Sequence, residues 1–289
     1  KGWPTKDANL ILYIELVLMF ALLLMNAVEA NFSDPGPAPF LISGLIAPLF
    51  SELSQSSLHI MERSFWWLHI LGILAFLNYL PFSKHFHIIL SFPNVWYAKL
   101  NNKGEMGNMH AVTEEVRKMM DPNADPYAST DEGESEPERF GAKDVMDLNR
   151  VQLMNAYACT ECGRCTSVCP ANQTGKKLSP RKIMMDVRDR LELVGQQIDA
   201  NGNWDDDGKS LLDDHITREE LWACTTCNAC VEACPVAIDP LSIILDMRRY
   251  LVMEESAAPQ ELNLMMTNVE NNAAPWQFAQ ADRLNWAQD

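Results

Sequence analysis

Apolar positions are spread unevenly along the 289 residues. Residues 10–28, LILYIELVLMFALLLMNAV, are interrupted only by Glu15 and Asn26, and at 1.5 Å per residue such a helix reaches across roughly 30 Å of hydrocarbon. A second run, residues 64–80, SFWWLHILGILAFLNYL, carries Trp66, Trp67 and Tyr79 near its ends, where amphipathic rings favour the headgroup layer. Together they predict membrane-spanning helices over about 8–29 and 64–81. Between them, residues 40–53 are apolar but much shorter than a span and contain Gly44 and Pro48, which predicts an interfacial helix. The competing reading of the first run is a secretory signal, because Lys1 and Lys6 precede it and AVEA at 27–30 resembles a cleavage site. The run is longer than a usual signal core, however, and a second run follows.

Periodicity disappears across residues 121–147, DPNADPYASTDEGESEPERFGAKDVMD, a stretch of Asp, Glu, Pro, Ser and Gly that predicts a solvated tether. Helical patterning returns beyond it, with recognisable start signals. Ser179-Pro180 and Asp239-Pro240 each join an N-cap residue to a first-turn proline, and Thr217 with Glu220 forms a capping box. The expected fold is mainly α: a transmembrane helical anchor over 1–100, an acidic linker over 101–150, a small helical domain over 151–255 and a docking tail over 256–289. A polar stretch, NGNWDDDGKS at 201–210, predicts a loop that either covers the domain's centre or meets a partner.

Charge narrows the partners. The formal net charge of -16, with no basic stripe, argues against nucleic acid and for a cationic protein partner. Lys1 and Lys6 precede the first span, Lys84, Lys99 and Lys103 follow the second, and the loop 30–39 has no Lys or Arg. By the positive-inside rule both ends face the cytoplasm, giving a multi-pass protein of a prokaryotic inner membrane. The sequence begins at Lys1 rather than Met, as a processed chain or a piece of a longer polypeptide would.

The chemistry lies in the cysteines. All eight fall in two runs, Cys159-Thr-Glu-Cys162-Gly-Arg-Cys165-Thr-Ser-Val-Cys169-Pro170 and Cys224-Thr-Thr-Cys227-Asn-Ala-Cys230-Val-Glu-Ala-Cys234-Pro235. Both have the C-x2-C-x2-C-x3-C-P spacing of [4Fe–4S] proteins, in which three close thiolates take one cube and the fourth ligates the other. The expected ligand sets are therefore Cys159, Cys162, Cys165 and Cys234 for one cluster, and Cys224, Cys227, Cys230 and Cys169 for the other. Zinc, the structural alternative, favours separated C-x2-C pairs. Thr160, Thr166, Ser167, Thr225, Thr226 and Asn228 are candidates to hydrogen-bond the cluster sulfurs.

Ionisable groups inside a span are costly, so Glu15 and His69 are functional candidates. Glu15 suits a proton or quinone role if it is not simply hydrated near an interface. His69 suits a b-type haem, or else a hydrogen bond to a neighbouring helix. His85 and His87 in the Lys84-His85-Phe86-His87 cluster offer further imidazoles, but His85 lies about 24 Å along a continuous helix from His69. A haem iron on His69 would need a second ligand from another helix or chain.

The segments ITREELWACTTCNACVEACPV and ACTECGRCTSVCPA resemble the helical dicluster domain of heterodisulfide-reductase-related iron–sulfur oxidoreductases, which is also akin to the iron–sulfur subunit of succinate dehydrogenases. Among these the chain is most similar to the membrane-bound members, whose anchors are related to the nitrate reductase gamma subunit. That similarity extends to WWLHILGILAFLNYLPFSKHFHIILSFPNVWY and to the tail ENNAAPWQFAQADRLNW. The resemblance implies a subunit that carries single electrons between membrane quinone and a cytoplasmic redox partner, an electron-transfer flavoprotein or a cysteine-rich reductase-like module, within a hetero-oligomeric membrane complex. It also exposes a departure: the paired adjacent cysteines of the catalytic modules are absent. Nor is there a G-x-G-x-x-G fingerprint or a nucleophile elbow, so the expectation is an electron carrier with no catalytic residues of its own. The alternative from another class is a scaffold whose clusters staple a docking domain.

Overall fold

The computed structural model describes residues 6–32, 40–83, 85–102, 104–122 and 139–288. Most of the acidic linker, much of the loop after the first span, and Lys1, Lys84 and Lys103 lie outside the described residues. The chain divides into two compact units, Lys1–Ile89 and Leu90–Asp289.

The first unit is built on α1 (Lys6–Glu29), the short α2 (Ser43–Ile46) and α3 (Gln55–Tyr79). Lys6–Glu29 and Gln55–Phe82 are each long and apolar enough to cross a membrane. The helices run antiparallel: the His69 ring nitrogen Nδ1 meets the Leu18 carbonyl at 2.9 Å, and the Tyr79 hydroxyl donates to Asp7. Small residues make the approach close. Ala21 and Ala27 are buried on α1, and a methyl group added to Gly72 would lie 2.5 Å from Leu18 Cδ2. Leu12, Leu16 and Phe20, with Leu68, Leu71 and Leu74, remain exposed.

The helix α3 starts at Gln55, ahead of the apolar run, because Ser54 caps it by accepting from the Ser57 amide at 3.3 Å. Its polar first turns conceal the start from a search for apolar residues. Between the long helices, α2 and a 3-10 turn, Ala47–Phe50, cover about 14 Å at helical rises. Asn31 ties this piece back by donating to the Ala47 carbonyl at 3.0 Å.

The division between units falls within α4 (Phe86–Trp96), and α5 (His110–Met120) follows. The rest of the second unit comprises α6 (Arg150–Ala158), α7 (Arg164–Ser167), α8 (Pro170–Gln173), α9 (Pro180–Asn201), α10 (Arg218–Trp222), α11 (Ala229–Glu232), α12 (Pro240–Met253) and α13 (Gln260–Asn272). The described residues contain no strand, only an isolated bridge between Leu212 and Ile216. The expected start signals are present as caps. Ser179 accepts from the Lys182 amide, Asp239 from the Ser242 amide, and Thr217 with Glu220 closes a capping box.

The core lies where α6, α9 and α12 meet, around Ala156, Ile183, Val187, Ile243, Ile244 and Met247. Gly141, at φ +80°, lets the chain cross α12 where any side chain would strike the Asp246 carbonyl at 2.2 Å. Among the described residues one cation is wholly buried: Arg190 is 0% exposed. Its guanidinium meets Asp144 and Asp207 at 2.7 Å each, donates to the Lys209 carbonyl and lies 5.2 Å from the Trp204 ring centroid. The polar loop 201–210 is thus fastened over this arginine.

Candidate metal centre

The two cysteine runs fold alike. Glu161 and Gly163 in the first have φ +59° and +83°, and Thr226 and Asn228 in the second have φ +56° and +60°. A β-branched residue such as Thr226 is rarely found there. Alternating left- and right-handed residues turn successive backbone N–H groups into a concavity suited to anionic sulfur. The Thr226 amide accordingly donates to Cys224 Sγ at 3.4 Å, and the Glu161 amide lies at the matching place beside Cys159. The Arg164 amide lies beside Cys162 in the first run, while in the second the Val231 amide donates to the Asn228 carbonyl at 3.0 Å. A single helical turn comes next, α7 after Gly163 and α11 after Asn228, before the closing Cys-Pro of each run.

The thiols gather across the runs. Cys234 lies near enough to Cys159 and Cys165 to interact electrostatically with both, as does Cys162 with Cys165. In the same way Cys224 interacts with Cys169, Cys227 and Cys230, while Cys165 and Cys230 link the two groups. Burial pushes Cys159 up to about 11 and Cys230 up to about 12, and it raises Cys165 and Cys224 as well. Cys162 moves down, chiefly because the Arg164 amide donates to it. Buried thiols with raised pKa values lose their protons when metal binds.

Among the described residues no three His, Cys, Asp or Glu side chains close on a single ion. Zinc, about 2.3 Å from each sulfur, requires thiolates about 4 Å apart. Two groups of four soft thiolates, with the Thr226 amide directed at Cys224 Sγ, suit iron–sulfur clusters.

Residues 158–238 match the 4Fe-4S dicluster domain. The chain is 31% identical over 309 residues to the probable iron-sulfur-binding oxidoreductase FadF of Bacillus subtilis, covering 96% of this chain and 41% of that protein. The chain is a homologue of heterodisulfide-reductase-related iron–sulfur oxidoreductases. It is 29% identical over 261 residues to the EtfAB:quinone oxidoreductase of Syntrophomonas wolfei, covering 84% of this chain and 33% of the relative. With a probable membrane-anchored ferredoxin of Chromohalobacter salexigens it shares 34% over 168 residues, or 52% of this chain and 24% of that one. The chain therefore spans less than half the length of these relatives. No solved structure matches it.

Within the dicluster domain the hydroxyl candidates separate. Those of Thr160 and Thr166 lie near Cys162 and Cys165, and Thr166 shares a hydrogen bond with Ser179 Oγ at 2.9 Å. Ser167 instead donates to the Arg164 carbonyl, and the Thr226 hydroxyl to the Thr225 carbonyl. Among the anchor candidates, Glu15 is exposed on α1, His69 meets the Leu18 carbonyl, and His85 lies against Phe76 and His87.

Two arginines escaped sequence reasoning. Arg188 of α9 pairs with Glu161 at 2.5 Å and interacts with Cys159. Arg248 of α12 donates to the Leu221 and Cys224 carbonyls, both at 2.6 Å, stacks 4.9 Å from the Trp222 ring centroid and interacts with Cys224. The available signal was register: each stands eight residues after the proline that opens its helix.

Proposed function

We propose that this chain is the electron-transfer part of a membrane-bound, quinone-linked oxidoreductase. Cys159, Cys162, Cys165 and Cys234 hold one [4Fe–4S] cluster, and Cys224, Cys227, Cys230 and Cys169 hold the other. The observation that carries this reading is the grouping of thiols across the two runs. The clusters would supply one-electron exchange; the chain sets their spacing and directs an N–H donor at Cys224 Sγ.

Relatedness to an EtfAB:quinone oxidoreductase and to a membrane-anchored ferredoxin supports the quinone link and the bilayer. The electron donor or acceptor on the other side is a cytoplasmic subunit, a cysteine-rich reductase-like module or an electron-transfer flavoprotein, in a hetero-oligomeric complex. The two long apolar helices cross the membrane and leave the dicluster domain in the cytoplasm. His69 is the residue for a b-type haem. A ring nitrogen held by a backbone carbonyl leaves the other free for iron, the arrangement that metal-ligating imidazoles favour.

Low-temperature EPR on anaerobically purified, dithionite-reduced protein tests the reading, together with iron and acid-labile sulfide analysis. About eight irons, with the interacting signals of two reduced cubes, are expected. Little iron with zinc in its place would overturn it and make the protein a metal-stapled membrane adaptor.

A further inference from the structure

The dicluster domain is an imperfect internal repeat, and its imperfection is a charge. In each half, a cysteine run precedes a helix opened by a capped proline, and an arginine eight residues into that helix reaches back toward the first cysteine of the run. Arg188 and Arg248 are thus counterparts, as are Glu161 and Thr226, which stand two residues after Cys159 and Cys224. Glu161 neutralises Arg188 at 2.5 Å. Thr226 carries no charge, and among the described residues no carboxylate pairs with Arg248, whose donors end on two backbone carbonyls. The indole of Trp222 replaces solvent beside its guanidinium.

The other charges near the runs are weaker. Arg164 and Arg181 on the first side and Glu232 on the second are exposed and screened by water. Asp239 lies near Cys230, but its carboxylate accepts the Ser242 amide at 3.0 Å and faces the positive end of α12. Among the described residues, the half-buried cation beside the second run, Arg248, has no paired carboxylate, whereas Arg188 beside the first is paired with Glu161.

Building on the ligand sets proposed above, we propose that Arg248 raises the reduction potential of the cluster held by Cys224, Cys227, Cys230 and Cys169. The Glu161–Arg188 pair leaves the other cluster at lower potential. A cation favours the added electron because reduction makes a cluster more negative. One electron therefore passes downhill from the reduced cluster of the Cys159 side, which is oxidised, to the cluster of the Cys224 side, which is reduced, with no proton or bond change. Arg248 is a positioning residue in this step, acting through the field at Cys224.

The test is a potentiometric titration of the full chain, read by EPR, for the parent protein and for Arg248→Gln, Arg248→Lys and Glu161→Gln. Arg248→Gln is expected to lower one of the two potentials by at least tenfold in the reduction constant, 59 mV for one electron, and to leave the other. Arg248→Lys should retain most of that potential, since it keeps the charge. Glu161→Gln, which removes the carboxylate paired with Arg188 and leaves only the weaker fields of Asp189 and Glu192 on it, should raise the other potential. Two unchanged potentials in Arg248→Gln with full iron content would overturn the proposal, as would Arg248→Lys falling as far as Arg248→Gln. If Arg248→Gln does not assemble, Glu161→Gln decides alone: a rise supports the proposal, and no rise overturns it. Failure of the underlying functional reading has a different signature, a parent protein without two cubes.

Discussion

Glu161 and Gly163 in the first cysteine run, and Thr226 and Asn228 in the second, hold the same left-handed backbone positions. What surrounds them differs. The first run leans on α9, whose buried Arg190 and paired Arg188 draw carboxylates from Asp144, Asp207 and Glu161. The second leans on α12, where Arg248 finds carbonyls and an indole. Backbone shape is thus set by how thiolates must be presented, whereas the surrounding charges are free to differ and give the halves separate properties.

The largest expected effect concerns which run owns the fourth ligand. Cys234→Ser should remove the same EPR signal as Cys165→Ser, although it lies in the other run, and Cys169→Ser should match Cys230→Ser. If Cys234→Ser instead abolishes the Cys230→Ser signal, ligation is not crossed. Next, Arg190→Met strands two carboxylates and should cost about 3–5 kcal/mol. Arg218→Gln, which breaks pairs with Asp213 and Glu255 at 41% side-chain exposure, should cost under about 1 kcal/mol. Urea unfolding of the two variants measures the gap.

A smaller effect follows from pH. Hydrogen bonds from Arg190 hold the Asp207 carboxyl down at about 2, below its value of about 3.9 in an unfolded chain. A depressed carboxylate stabilises the fold above the unfolded value, and this stability fades as pH falls from about 4 toward about 2. Thermal unfolding across that window should show the slope, and Asp207→Asn should flatten it. Last come the turns. Gly163→Ala makes only an ordinary contact with the Arg181 side chain at 3.8 Å, so backbone strain of about 1–2 kcal/mol is expected. Asn228→Gly should change stability by less than about 0.5 kcal/mol or raise it, because glycine adopts this conformation freely. Denaturant midpoints compare them.

Features written in neighbouring residues were legible beforehand. Ser179-Pro180, Asp239-Pro240 and Thr217 with Glu220 start helices because the cap and the amide it satisfies are within three residues. The apolar runs likewise predicted the long helices, and the cysteine spacing predicted the dicluster domain. What stayed hidden joins distant residues. Arg190 with Asp144 spans 46 positions, and Arg188 with Glu161 spans 27; neither has a local pattern. The start of α3 at Gln55 was obscured for another reason: its first turns are polar, so helical propensity and the Ser54 cap, not apolar content, decide it.

The clasp formed by Arg190, Asp144, Asp207 and Trp204 bears on how the domain is held. It is made wholly from side chains and carbonyls the polypeptide already owns. None of its bonds involves a cysteine, so the hold on the loop 201–210 and the hold on the clusters are separate fastenings of one domain.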